Sequence, residues 1–420
     1  MQSKPHIAVV GAGIVGICSA YFLQKTGFQV TLIDKNEPGS ITSYGHACTF
    51  ADYACVPVNS PDLFKNIPSM LLKSNGPLAI DFFHVLKNLN WATKFLQNCT
   101  AKKVEYISNS LGNLLNNASI SYDEIFTDIN VSEYIKNEEA LYLYQNESEF
   151  LKAKTTNELR EKNGVKIKTL SKTEILELEP SLAPIFYNGQ IFIGSRHTTN
   201  PSMISKKIFE SFINNGGNFI QNEVNDIISE TNLITLNYNN NKHNYEKVII
   251  CAGAWSNNLS KKIGDNFPLD AERGYHVMFD NHGLINRPIG WSQTGFYLVQ
   301  LQEGLRAAGT VEIAGLSKPP NKKRTKMIEN QARKLLPDLN SVKSTWLGFR
   351  PTLPDSLPVI GPSKKNKNII YAFGHQHIGW TLGAVTGKII NSICNERVPN
   401  IDIEPLTQVA LINLSLSQRF

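Results

Sequence analysis

Hydrophobic and polar positions along this chain change period several times, and each change marks an element. Residues 6–10 form a short β-rich apolar run. Residues 14–25 recur with helical spacing and stop before Gly27, a natural residue to follow a helix C-terminus. Residues 29–33 form a second β-rich run. The spacing predicts strand, tight turn, helix and strand, one βαβ unit with parallel strands. Between 60 and 130 the apolar residues Phe64, Ile67, Met70, Leu71, Phe82, Val85, Leu86, Leu89, Trp91, Phe95 and Leu96 recur at helical intervals, with Lys65, Lys73, Lys87 and Lys94 among them. This predicts a helical insertion whose lysine-edged stripes suit either the protein core or an anionic surface.

Further on, residues 202–214 read as a helix stopped by Gly216-Gly217, and 218–228 as a strand and its exit. Residues 233–238 and 245–250 read as a hairpin across the polar turn 239–244. Residues 267–315 read as a series of short strands, 321–336 as a helix with one exposed face, and 369–393 as strand, glycine turn and helix. No internal repeat interrupts this order.

Composition narrows the class. The 420 residues suffice for two domains, with 41% hydrophobic and 19% charged residues. The net charge of +6 is dispersed, which argues against a nucleic-acid partner. The six cysteines show neither C-x-x-C pairs nor zinc spacing, so no metal site is expected, and they suit a reducing cytoplasm. The apolar segment 6–23 carries ordered glycines and reads as folded protein rather than as a signal peptide or membrane span. The expected location is cytoplasmic, with peripheral contact on the inner face of a membrane as the one membrane role considered.

Gly11-Ala12-Gly13-Ile14-Val15-Gly16 has the G-x-G-x-x-G spacing. The first glycine makes the turn, the second admits a pyrophosphate, and the third lets helix and strand pack closely. Asp34 closes the second strand, 18 residues past Gly16, where a carboxylate can accept a ribose hydroxyl. The motif alone does not separate FAD from NAD.

More extended features carry a resemblance. Thr42-Ser43-Tyr44-Gly45-His46-Ala47 follows the unit. Segment 77–100 and the strand-plus-turn 248–256, with Ala252 and Gly253, lie in the middle. Trp346-Leu347-Gly348-Phe349-Arg350-Pro351, Pro354-Asp355 and Pro358 precede Gly374-His375-Gln376-His377-Ile378-Gly379-Trp380-Thr381. With these residues the chain resembles, nearly end to end, the D-amino-acid oxidase superfamily of flavoproteins, and most closely its bacterial D-amino acid dehydrogenase branch. The resemblance implies an α/β plus α+β chain of glutathione-reductase type. A Rossmann-like FAD-binding domain (1–58, 165–260 and 342–420) would join a discontinuous antiparallel-sheet substrate domain (59–164 and 261–341).

The resemblance further implies FAD as cofactor and oxidative deamination of a small D-amino or imino acid to a 2-oxo acid and ammonia. Electrons would pass to a quinone or another respiratory-chain component. The alternative is an oxygen-using oxidase of glycine, sarcosine or a cyclic D-imino acid such as D-proline. Arg350 takes the role of gripping the substrate carboxylate through a bidentate fork, against the alternative of a structural ion pair. Tyr275 is expected to reach the same carboxylate, or else to be a half-buried sheet residue. His46 and His377 are expected in loops by the ring. Besides the glycine turn and Asp34, the cofactor contacts expected are Lys35, Thr42, Ser43, Gly45, His46, Ala47, Val224, Ala252, Gly253, Gly379, Trp380 and Thr381. The helix opening at Gly379 would aim its N-terminus at the flavin. No general base stands out, because hydride transfer requires mainly a neutral amine and alignment.

Overall fold

A computed structural model describes residues 4–61, 76, 78–231, 233–292 and 294–408. Phe64, Lys65, Ile67, Met70, Leu71 and Lys73 of the helical stripes lie outside the described residues. The βαβ unit forms as its pattern dictates. His6–Val10 lies at the heart of a six-stranded sheet ordered Asn218–Gln221, Gln29–Asp34, His6–Val10, Lys247–Ile250, Ile369–Phe373 and Val359–Pro362. The first five strands run parallel, and the last is antiparallel. Ile7, Ala8 and Val9 are wholly buried, which fits a strand covered on both faces.

On one face, Ile14–Lys25 packs against Gly379–Cys394. Gly387 permits that approach, since a Cβ there would press on the Cys18 carbonyl. Ala101–Leu115 and Ala118–Asp128 add Ile107, Leu111, Tyr122 and Ile125 to the same core. The other face is covered by a three-stranded sheet, whose Ile227, Ile234 and Leu236 meet Ala8, Val248 and Ile250.

The second body is a nine-stranded, mostly antiparallel sheet. Its order is Val342–Thr352, Asp270–Phe279, Gly304–Ile313, Phe296–Leu301, Ile289–Trp291, Leu141–Tyr144, Asn188–Ile193 and Lys166–Leu170, and Leu78–Ile80 pairs with Gly304–Ile313. Alternation divides its residues between two faces. Val277, Phe279, Leu298 and Leu305 pack with Ile328 and Leu335 of the helix Lys322–Leu335. Gly274, Trp346, Gly348 and Arg350 face a cavity instead.

Two expectations change. Ile234–Tyr238 pairs with Asn241–Tyr245 across Asn239 and Asn240, both in the left-handed region, and Lys247–Ile250 belongs to the parallel sheet. The polar strand Asn241–Tyr245, largely solvent-facing, carries no apolar run, and its residues 241–244 read as turn. Segment 267–315 includes two strands of ten residues rather than short strands alone. Lys166–Leu170, Asn188–Ile193 and Val342–Thr352, from the segments expected to bind the cofactor, join the nine-stranded sheet.

Candidate active site

The carboxyl ends of the parallel strands and the cavity face of the larger sheet enclose a cavity of about 590 Å³. That is the place and the size range of ligand sites in open α/β sheets. The glycine turn forms one wall. Gly11 has φ 107°, and a Cβ there would collide with the Cys251 backbone. A Cβ on Gly16 would collide with the Gly11 carbonyl, so Gly16 supports the turn from beneath without lining the cavity. The helix Ile14–Lys25 starts from Gly13, which has no side chain to cap it, so beyond the Ile14 N–H its first turn faces the cavity.

Asp34 stands at the mouth of this turn. Its Oδ2 accepts from the Ala12 N–H at 2.7 Å, and its Oδ1 from the Asn36 N–H at 2.8 Å. Lys35 lines the same end and pairs with Glu223 at 2.8 Å. Ser43 Oγ accepts from the Ile14 N–H at 2.9 Å, and Thr42 Oγ1 donates to the Phe349 carbonyl at 3.2 Å. These two bonds fix the 40–48 loop between the first helix and the larger sheet. Gly45, Val224, Ala252, Gly253, Gly379 and Trp380 complete the wall around them. Ala47 and Thr381 stand behind it. Thr381 is buried, and its Oγ1 accepts from the Ala51 N–H at 2.9 Å.

The opposite end is cationic and aromatic. Arg350 enters from the strand Val342–Thr352, and its Nη1 donates to the Thr310 carbonyl at 2.8 Å. The guanidinium lies over Gly274, the space a Cβ there would need. Glu272, directly opposite Arg350 on the neighbouring strand, is buried with Oε2 lacking a hydrogen bond. Burial lowers the Arg350 pKa and the nearby Glu272 charge opposes that; a guanidinium is cationic at neutral pH.

The histidines around it are held neutral. His377 opens onto the cavity with its side chain exposed there, and the surrounding protein, then the Arg350 charge, lowers its pKa to about 4. His46 is stacked on Trp380 at 4.3 Å, and its Nδ1 accepts from the Cys48 N–H at 2.9 Å. Desolvation, then Arg306 and His276, hold the His46 pKa well below the usual value. His276 is stacked on Trp346 at 5.1 Å, with its pKa pushed down to about 3 by burial and Arg306. Arg306 itself is fully buried and donates to the carbonyls of Tyr44 and His46 at 2.7 and 3.2 Å.

Tyr275 does not join this group. Gly274 faces the cavity, so alternation turns residue 275 to the helix side, where it is 1% exposed. Its hydroxyl donates to Glu312 at 2.5 Å and accepts from the Asn321 N–H at 3.1 Å. The cavity also takes in Trp255, Trp346, Phe349 and Gln376, which the sequence reading did not single out as site residues. For Trp346 a signal existed, since it sits at i−4 from Arg350 on a strand and so shares its face.

These residues fit FAD. A dinucleotide turn with an open helix N-terminus and a strand-end carboxylate occupies one end, and neutral aromatic and histidine rings occupy the other. The comparisons agree. The family model described as "FAD dependent oxidoreductase" matches residues 6–393. The chain is 31% identical to a D-amino-acid oxidase of Bradyrhizobium diazoefficiens over 97% of this chain and 99% of the relative. It is 26% identical to a D-amino acid dehydrogenase of Paramagnetospirillum magneticum over 95% and 97%. Among solved structures it is similar to glycine oxidase from Geobacillus kaustophilus, with a TM-score of 0.73, 19% identity and coverage of 96% and 98%. L-proline dehydrogenase from P. horikoshii gives a TM-score of 0.74, 18% identity and coverage of 98% and 99%. With its fold, its cavity and these relatives in agreement, the chain belongs to the FAD-dependent oxidoreductases of the DAO family.

Proposed function

We propose that this enzyme oxidises the Cα–N bond of a small D-amino or imino acid and passes the electrons to a quinone-type acceptor. The observation that carries the reading is Arg350, a half-buried guanidinium facing the cavity among histidine and aromatic rings. A free amino acid brings one carboxylate that such a fork can hold through two charge-assisted bonds. The lining acids Asp34, Glu37 and Glu223 belong to the stretches around the dinucleotide turn, and Glu272, whose charge acts on Arg350, does not line the cavity. The names of the relatives in Bradyrhizobium and Paramagnetospirillum support the D-amino acid class.

FAD, when bound, supplies the two-electron acceptor for the hydride leaving Cα. Gly11 to Gly16 would hold its pyrophosphate and Asp34 its ribose, and the helix Gly379–Cys394 would turn its N-terminus towards the ring. Arg350 fixes the substrate by its carboxylate. His46 and His377, uncharged, leave the amine free to lose its proton. The nitrogen lone pair forms the imine as the hydride departs. With a primary amine, water then adds to the imine carbon and ammonia leaves, giving the 2-oxo acid; with a cyclic imino acid the nitrogen stays bonded to the product.

A second reading, an oxygen-using oxidase of glycine, sarcosine or a cyclic D-imino acid, is favoured by the fold shared with glycine oxidase and L-proline dehydrogenase. One experiment addresses both. The purified holoenzyme is given a panel of D- and L-amino acids with an artificial electron acceptor, and in parallel with oxygen and a peroxide assay. Turnover of D-substrates with the acceptor and little peroxide is expected. Stoichiometric peroxide transfers the assignment to the second reading, and strict L-selectivity ends both D-substrate assignments.

A further inference from the structure

The short helices Phe82–Lys87 and Leu89–Gln97 bury none of their residues fully. At their start they present Phe82, Phe83, Leu86 and Leu89 to solvent, 63%, 74%, 46% and 55% exposed. Four large side chains at such exposure leave on the order of 400 Å² of apolar surface within one stretch of eight residues. A helix pair without a buried face of its own is held by polar contacts instead. Asp81 pairs with Lys318, His84 with Asp270 at 2.8 Å, and the Trp91 indole N–H donates to the Thr352 carbonyl at 3.2 Å.

Charge around the patch has one sign. From residue 82 to 104 the sequence has four lysines, Lys87, Lys94, Lys102 and Lys103, and neither aspartate nor glutamate. The acids that border the patch, Asp81 and Asp270, are already engaged by Lys318 and His84. Lys322 and Lys323 open the helix whose Arg324 donates to the Gly76 carbonyl at 2.7 Å, just before the strand Leu78–Ile80 that leads into the patch.

We propose that this face docks the enzyme on an anionic lipid surface, with Phe82 and Phe83 entering the interfacial region and Lys87 and Lys94 meeting the headgroups. Exposed aromatics beside lysines, without free carboxylates, complement a negatively charged interface, whereas a protein partner of mixed charge would find no acids to pair. The docking surface adjoins the substrate end of the cavity, because Trp91 grips Thr352 two residues past Arg350. The proposal does not depend on which amino acid the enzyme oxidises.

The test is co-sedimentation of the FAD-loaded full chain with vesicles of phosphatidylcholine alone and with 3:1 phosphatidylcholine to phosphatidylglycerol, at low and high salt. Binding to the anionic vesicles that falls at least tenfold in Phe82→Ser/Phe83→Ser is expected. Lys87→Glu/Lys94→Glu should weaken only the salt-sensitive part. Flavin absorbance and gel filtration confirm that the variants are folded. Native protein that stays in the supernatant with anionic vesicles at low salt overturns the proposal, as does a serine double variant that binds equally well. So does a lipid-independent dimer abolished by the same double variant, since a second copy would then own the patch.

Discussion

Arg350 was expected to hold the substrate carboxylate and Tyr275 either to reach it too or to be a sheet residue, and their geometry separates their consequences. Removing a desolvated partner of a charged ligand costs roughly 2–5 kcal/mol. Arg350→Ala is therefore expected to lose about 10²-fold or more in kcat/KM for amino acids while keeping its flavin, and Arg350→Lys to recover only part, since an ammonium cannot reproduce the fork. Tyr275→Phe should leave kcat/KM near native. It deprives Glu312 and the Asn321 N–H of a partner, which should lower stability by about 1–2 kcal/mol. Steady-state kinetics and thermal melts on the same samples distinguish the two; a Tyr275→Phe enzyme with a large KM defect would return the tyrosine to the substrate. Asp355 offers a pH test. Desolvation raises its pKa from 3.8 to about 6 against the pull of backbone N–H groups, among them the Leu357 N–H, from which Oδ1 accepts at 3.2 Å. A carboxyl whose pKa is higher folded than unfolded contributes stability below about pH 4, and this is lost as pH rises through 6. Asp355→Asn should be more stable than the native enzyme by about 1–3 kcal/mol at pH 8, and the gap should close by pH 4. Equal urea midpoints at pH 8 would show that the ionised form is well accommodated.

At the scale of elements, legibility followed periodicity. The βαβ unit was readable because Gly11, Gly13, Gly16 and Asp34 each answer a separate steric or chemical demand at fixed spacing. The same holds at the other end, where Ile369–Phe373 and Gly379–Cys394 repeat strand, turn and helix. What failed was pairing. Residues 241–244 were read as turn because a polar edge strand has no apolar alternation to announce it. The inclusion of Tyr275 failed for a related reason: a motif names residues, whereas the face they occupy depends on register. Once Gly274 and Gly348 are paired, residues 274, 348 and 350 share the cavity face and 275 cannot. The glycines of the first turn give a sharp contrast. Gly16→Ala would force its Cβ into the Gly11 carbonyl, so purified protein is expected to be colourless and not to recover FAD on dialysis. Gly216→Ala, at φ 93° with nothing within reach of its Cβ, should cost about 1 kcal/mol of stability and keep a full flavin complement. Matching absorbance at flavin wavelengths for both variants would contradict the assignment of the turn.

For the whole molecule, the cavity lies between two separately built cores, the helix-covered parallel sheet and the nine-stranded sheet with its helix Lys322–Leu335. Gly11, Asp34 and Ala252 come from one, and Gly274, Trp346 and Arg350 from the other. Across the cavity, direct polar ties include Thr42 to the Phe349 carbonyl and Arg306 to the 44–46 carbonyls. A bound dinucleotide therefore belongs to both bodies, and its binding energy appears as stability of their joint arrangement. Ligand that binds only the folded chain adds RT ln(1 + [L]/Kd), about 2.7 kcal/mol at a hundredfold excess over Kd. FAD-stripped enzyme is thus expected to melt at lower temperature, with the midpoint climbing continuously as FAD is titrated back. The 40–48 loop, fixed by Ser43 and Thr42 rather than by a core of its own, should become the first site of proteolytic cleavage in the stripped form. Calorimetry and limited proteolysis with and without FAD measure both effects. A melting point indifferent to FAD, with an unchanged cleavage pattern, would mean that the two cores hold their relative position without the cofactor.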